Sequence, residues 1–210
     1  MKKVKESLQS EDVYWDYYSG LPNPSWYEKV KEENTPTYDV ENNVYRFADT
    51  DSFTPMYSPI EMTVLGVFGG NYFGNVEVNK NWLDCVPEDF LDEDVLLNKE
   101  YLHERLLSTT YNTTVNKYQV KCGMDYHGWV SSGWIHEQDP YGWFNWYINF
   151  FYGRRSTDDK RQISRWKSFV SRHSAMLKSM CAKSNREISD ESFAAKTRQG
   201  LLHWSYKVAY

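Results

Sequence analysis

Asp139-Pro140-Tyr141-Gly142-Trp143-Phe144-Asn145-Trp146-Tyr147-Ile148-Asn149-Phe150-Phe151-Tyr152-Gly153 decides the fold class. Asp139 suits a helix N-cap, and Pro140 suits the first turn, where a missing N–H costs nothing. Trp143, Trp146, Tyr147 and Phe150 or Phe151 recur at spacings of three and four, which gathers their rings on one helical face. Gly153 ends the run, because glycine enters the left-handed region without strain. An apolar helix is therefore predicted from Asp139 to about Gly153.

Immediately after it, Ser156-Thr157-Asp158-Asp159 has the form of a capping box with two carboxylates at the positive end of a helix dipole. The helix it opens is predicted to run to about Met180. At about 100° per residue from Arg161, Arg165 falls near 40° and Arg172 near 20°. Ile163, Trp166, Phe169, Val170, His173, Leu177 and Met180 spread over roughly 80–200°. An arginine stripe thus lies beside an apolar stripe. A last helix is predicted from near Ser189, with Asp190 and Glu191 in its first turn, Arg198 mid-helix, and Phe193, Leu201, Leu202, Trp204 and Val208 along it.

The first half is less regular. Ser25, after Leu21-Pro22-Asn23-Pro24, suits the cap of a short helix carrying Trp26, Tyr27 and Val30, and 32–43 reads as a polar loop. Ser58-Pro59-Ile60-Glu61-Met62 predicts a short capped helix that ends at Gly66. Gly66, Gly69, Gly70 and Gly74 follow with Phe68, Tyr72 and Phe73 between them. No Gly-Lys-Ser/Thr follows and no strong strand precedes, so this is not a P-loop; a tight turn packing two rings into the core is the plainer reading. Pro87-Glu88-Asp89-Phe90-Leu91 opens a further helix, 108–122 reads as a short strand or a loop, and 105–130 has room for a small sheet. The expected fold class is mainly α: a single globular domain with a loop-rich N-terminal half and room for a small β element. Residues 1–50 are read as an irregular extension packing on the core, and 51–210 as one α-rich core domain.

The chain of 210 residues can bury a core without disulfides or metal. Its 17% aromatic content, with nine Trp and seventeen Tyr, exceeds what a core needs, so some rings are expected to face a cleft. Three unpaired-looking cysteines fit a reduced, cytoplasmic setting. Met1-Lys2-Lys3-Val4-Lys5-Glu6 has no apolar run behind it, and no stretch is long enough for membrane association by spanning. Net charge is −12 over residues 1–100, −1 over 101–150 and +8 over 151–210. That asymmetry points to a polyanion at the C-terminal part, or to the basic third pairing with the acidic half.

Three groups of residues suit chemistry. Arg154, Arg155, Arg161, Arg165, Arg172 and Arg198 suit bidentate capture of phosphate or carboxylate, and Trp134, Trp143 and Tyr147 suit stacking of bases. Asp139 and His136 are the candidate proton-transfer pair, although Asp139, Asp158 and Asp159 also sit where helix caps belong. His103, His127, His136, His173 and His203 show no zinc spacing, and no cofactor motif or covalent-hydrolase signature is present.

Several of these pieces together resemble an uncharacterised family of small proteins from tailed DNA phages and some microbial eukaryotes. They are 58–62 with Leu65-Gly66-Val67-Phe68-Gly69-Gly70-Asn71-Tyr72, and Gly133-Trp134-Ile135-His136 with 139–147. Gly153-Arg154-Arg155, 158–163, Arg165-Trp166 and the tail 197–206 follow. Phe193-Ala194-Ala195-Lys196 stands where the family pattern has an Arg-rich Cys-Arg lead-in. The resemblance implies a phage-like setting in a host cytoplasm, where nucleic acid is the commonest partner. Nucleic acid or a nucleotide at the Arg/aromatic set is accordingly the leading expectation. A small-molecule enzyme using Asp139 and His136, and a host-directed protein-interaction (inhibitor) protein, are the alternatives.

Overall fold

Both helices of the deciding stretch form, but each starts later than its capping residues predict. The computed structural model describes residues 32–74, 78 and 81–209; the helix expected at Ser25 lies outside them. In chain order the elements are β1 (Thr37–Asp39), β2 (Val44–Arg46), α1 (Pro59–Val64), α2 (Glu88–Leu91), α3 (Lys99–Leu102), α4 (Tyr126–Ser131), α5 (Trp143–Phe151), α6 (Asp159–Lys183) and α7 (Ala195–Leu202), joined by short 3-10 turns. The protein is mainly α, with one two-stranded antiparallel sheet among the described residues. That sheet pairs Thr37 with Arg46 and lies where a polar loop was expected. The stretch 105–130 holds a π-helical turn, a 3-10 turn and α4 joined by loop, so the loop alternative holds for 108–122 and no strand forms there.

Helix α5 is the centre of the core. Trp143 to Phe150 are all buried, Asn145 and Asn149 included. A helix buried on every side needs partners for its polar groups. The Nδ2 atoms of Asn145 and Asn149 both donate to the Cys85 carbonyl, at 2.6 and 2.8 Å. Asp139 is not its cap. Gly142 (φ 84°) precedes the first turn, and the Tyr72 hydroxyl accepts the N–H groups of Phe144 (3.1 Å) and Asn145 (3.4 Å) while donating to the Tyr141 carbonyl. A phenol from the glycine-rich turn thus does the capping that a local carboxylate was expected to do. Gly153 (φ 97°) does turn the chain after the helix.

That turn has a backbone reason. Gly66 adopts φ +57°, and a Cβ there would overlap the Val115 carbonyl. Phe73 N–H donates to the Leu106 carbonyl, Ser108 N–H to that of Gly70 and Asn112 N–H to that of Gly69, at 2.8–3.0 Å. Glycine lets the two backbones approach closely enough to bond. Phe68 and Tyr72 then pack on Phe144 of α5, with centroids 4.7 and 5.0 Å away. Helix α1 forms as predicted, with a complete capping box between Ser58 and Glu61.

Helix α6 begins at Asp159, three residues after Ser156. The Asp159 carboxylate accepts the Ser156 N–H (2.9 Å) and hydroxyl (2.8 Å), which makes 156–158 a turn. It also accepts Trp146 Nε1 at 2.9 Å, tying α5 to α6. The buried residues of α6 are Gln162, Trp166, Val170, Leu177 and Cys181, the helical repeat that faces the core. Helix α7 begins at Ala195 rather than near Ser189, because Arg198 pulls the preceding loop back on itself. Its guanidinium donates to the carbonyls of Phe193 (2.8 Å), Ile188 (2.8 Å) and Asp190 (3.0 Å). Trp204 and Val208 lie beyond the end of α7. No helix among the described residues is long and apolar enough to cross a membrane.

Candidate functional site

A cleft of about 890 Å³ opens between α4, the N-terminal end of α5, the middle of α6 and the end of α7. That is within the usual size of ligand sites. Its position follows from the packing above. Tyr72 and Gly142 set the start of α5, which leaves Trp143 on the cleft floor, 8% exposed. Asp125 caps α4 by accepting Gly128 N–H at 2.9 Å, and α4 brings Trp129 to the lining beside Gly142.

The third wall is a ladder of flat groups. His173 stacks on Phe169 (3.7 Å, 13°), and Phe169 stacks on Trp204 (5.1 Å, 20°). The Arg165 guanidinium lies 5.5 Å from the Trp204 ring and 5.2 Å from the Trp134 ring. Trp166, one residue on and facing the core, holds the Trp204 carbonyl through Nε1 at 2.7 Å. Two helical turns of α6 thus present Arg165, Phe169 and Arg172 to the cleft while the adjacent stripe anchors the fold.

The lining is cationic. Lys121, Arg165, Arg172 and Lys196 face one carboxylate, Asp125, already engaged in its cap. None of these four cations forms an ion pair among the described residues. Arg165 donates to Gln162 Oε1 at 2.9 Å. Burial pushes its guanidinium down to about 10, with Arg161 adding like-charge repulsion, so it stays a cation at neutral pH and favours an anion. Burial pushes His203 down to about 4, which keeps that ring neutral. Burial also raises the Cys122 thiol, which donates to the Lys196 carbonyl at 3.4 Å and is no thiolate nucleophile. Two enclosed nitrogens on the lining, Trp143 Nε1 and His203 Nε2, have no hydrogen-bond partner among the described residues.

The structure divides the sequence candidates. Trp134, Trp143, Arg165 and Arg172 line the cleft. Arg161 is turned to Asp158, with Nε 2.5 Å from Oδ1. Arg155 grips Asp49 through Nε (2.6 Å) and Nη2 (3.0 Å) and lies 3.8 Å over the Phe150 ring. That pair joins the basic third to the acidic half. Arg198 is spent on three carbonyls. Tyr147 is fully buried and donates to the Tyr57 carbonyl at 2.6 Å, so it offers no face for stacking.

Asp139 and Arg154 form a buried bidentate pair, Nη1 to Oδ1 at 2.7 Å and Nη2 to Oδ2 at 2.6 Å. Asn149 and Gln138 each add a bond to the same carboxylate at 3.2 Å. Asp139 is 1% exposed, and neither it nor His136 lines the cleft. His136 Nδ1 accepts the Gln138 N–H at 3.3 Å, inside the turn that Asp139 closes. These residues hold the 136–142 turn against the end of α5.

Phe169, Trp204 and His203 were legible only as helix-face residues, and Trp129, Lys121 and Lys196 carried no signal. The one available clue was angular: Phe169 falls at the border where the apolar stripe meets the arginine stripe. Among the described residues, no three of His, Cys, Asp and Glu gather as metal ligands do. Comparison of the chain with family models, curated proteins and solved structures finds no match.

Proposed function

We propose that the protein binds nucleic acid or nucleotides in this cleft, with bases against its rings and phosphate on its arginines. The observation that carries the reading is Arg165 held beside Trp134 and Trp204 in a cleft whose lining, among the described residues, carries four cations and one carboxylate. Flat rings and a guanidinium plane suit nucleobases of any identity, and cations with no ion pair among the described residues suit the phosphate between them. The phage-like resemblance of the motifs fits the same partner class. Among the described residues, the one carboxylate of the cleft, Asp125, caps α4, and Asp139 lies outside it.

The test is binding at low salt of fluorescein-labelled oligonucleotides, with ATP and GTP as competitors. Binding that weakens as salt rises is expected. Arg165→Gln should weaken it at least tenfold with the thermal midpoint little changed. Absence of binding to every oligonucleotide and nucleotide at low salt would end the reading.

A further inference from the structure

The cleft follows α6 for several turns, and two of its cations stand on that helix. On α6 its lining runs from Ser164 to Met176, about 18 Å of helix axis at 1.5 Å per residue. Arg165 and Arg172 are seven residues apart, about 10 Å along the axis. Two or three nucleotide steps span that distance. Lys121 and Lys196 approach from other segments, so cations border the cleft on more than one side. The apolar part of the lining is also extended: Met124, Trp134 and Met176 remain exposed at 49%, 39% and 42%. On the floor, Trp143 is 8% exposed.

From this we propose that the occupant is a single strand of nucleic acid, about three to five nucleotides long, lying along α6. The proposal rests on the function proposed above and narrows its ligand class. At roughly 3.4 Å per nucleotide when stacked, and about twice that when splayed over separate rings, 18 Å accommodates that many. Unpaired bases present their faces to Trp134, the cleft ring left 39% exposed. A duplex keeps its base faces stacked inside and its Watson–Crick edges paired, so it meets only the rim. A mononucleotide fills only part of that length.

The experiment is fluorescence anisotropy at 25–200 mM salt with 5′-labelled homopolymers of one, two, four, eight and twelve nucleotides, as DNA and as RNA. A matched duplex and polyglutamate serve as competitors. Affinity should rise steeply up to about four nucleotides and then level off. The duplex and polyglutamate should compete at least tenfold less well than the octamer, and log K should fall with log salt at a slope of about −2 to −3, about 0.7 per cation engaged. Arg172→Gln should reduce that slope by about 0.7. Trp134→Ala should weaken binding about 5- to 100-fold with the slope unchanged. Either sugar supports the proposal, and the comparison names the strand. A mononucleotide binding as tightly as the octamer overturns the strand and leaves nucleotide binding standing. Equal competition by duplex or polyglutamate also overturns it. No binding by any nucleic acid or nucleotide overturns this proposal and the one it rests on.

Discussion

Replacing Asp139 by asparagine should destabilise the protein severely while leaving the cleft chemistry intact. The reasoning starts from the pair it breaks. Arg154 is 2% exposed and Asp139 1%, with two guanidinium nitrogens at 2.6 and 2.7 Å from the carboxylate oxygens. Asparagine removes the charge and one acceptor, which strands a cation in the interior. Removing one member of a buried pair costs about 3–5 kcal/mol. For a chain of this size that lowers the thermal midpoint by roughly 10 °C or more. Arg154→Met should cost about the same, because it strands the carboxylate. The double variant Asp139→Asn/Arg154→Met should cost well below the sum. The neighbouring amides are satisfied elsewhere: Asn149 Nδ2 by the Cys85 and Asn145 carbonyls (2.8 and 3.0 Å), and Gln138 Nε2 by Ser156 Oγ (2.8 Å). Urea denaturation of the four proteins gives the coupling energy, expected at about 2 kcal/mol or more. Single variants costing under about 1 kcal/mol, or additive losses, would refute the assignment of this pair as the lock of the 136–142 turn.

Further outcomes follow from the same geometry. Gly66→Ala should cost more than about 2 kcal/mol in chemical denaturation, since a left-handed backbone and a backbone overlap act together; Gly133→Ala, also at positive φ but with nothing within 4 Å, should cost about 1 kcal/mol. Arg198→Met should cost about 2–4 kcal/mol by leaving carbonyls of the 188–193 loop without donors, and should leave the salt slope of oligonucleotide binding unchanged. His203 titrates near 4 when folded and near 6.5 when unfolded. The unfolded chain therefore binds more protons between those values, and stability falls as pH drops through that window. Its share between pH 7 and pH 5 is about 1–2 kcal/mol, discounted for the part of the ring that the cleft exposes. His203→Phe should remove that share, which parallel melts at the two pH values would read; an equal pH dependence in both proteins would contradict a neutral buried imidazole.

Local signals were legible where the physics is local. The Ser58 capping box and the left-handed Gly153 depend on a few consecutive residues, and both stand as read. The arginine and apolar stripes of α6 depend only on helical pitch, and that helix forms. Asp139 misled because two readings compete for one carboxylate. A cap next door and a guanidinium fifteen residues on both attract it, and burial decides for the charge-assisted bidentate bond. Tyr147 misled because a ring on the helical face of α5 cannot reveal that every face of that helix is covered.

The sequence by itself determined the mainly helical class, the two central helices and the presence of more arginine and aromatic side chains than a core requires. Only the tertiary structure decided which of them remain available. Arg154, Arg155, Arg161 and Arg198 are consumed by Asp139, Asp49, Asp158 and loop carbonyls, whereas Arg165 and Arg172 are left facing a cleft. The cleft joins Trp129, Trp134, Phe169 and Trp204 across seventy-five residues of chain. An arginine's partner, and a ring's exposure, depend on which distant segments pack beside it, and periodicity along one helix carries no such information.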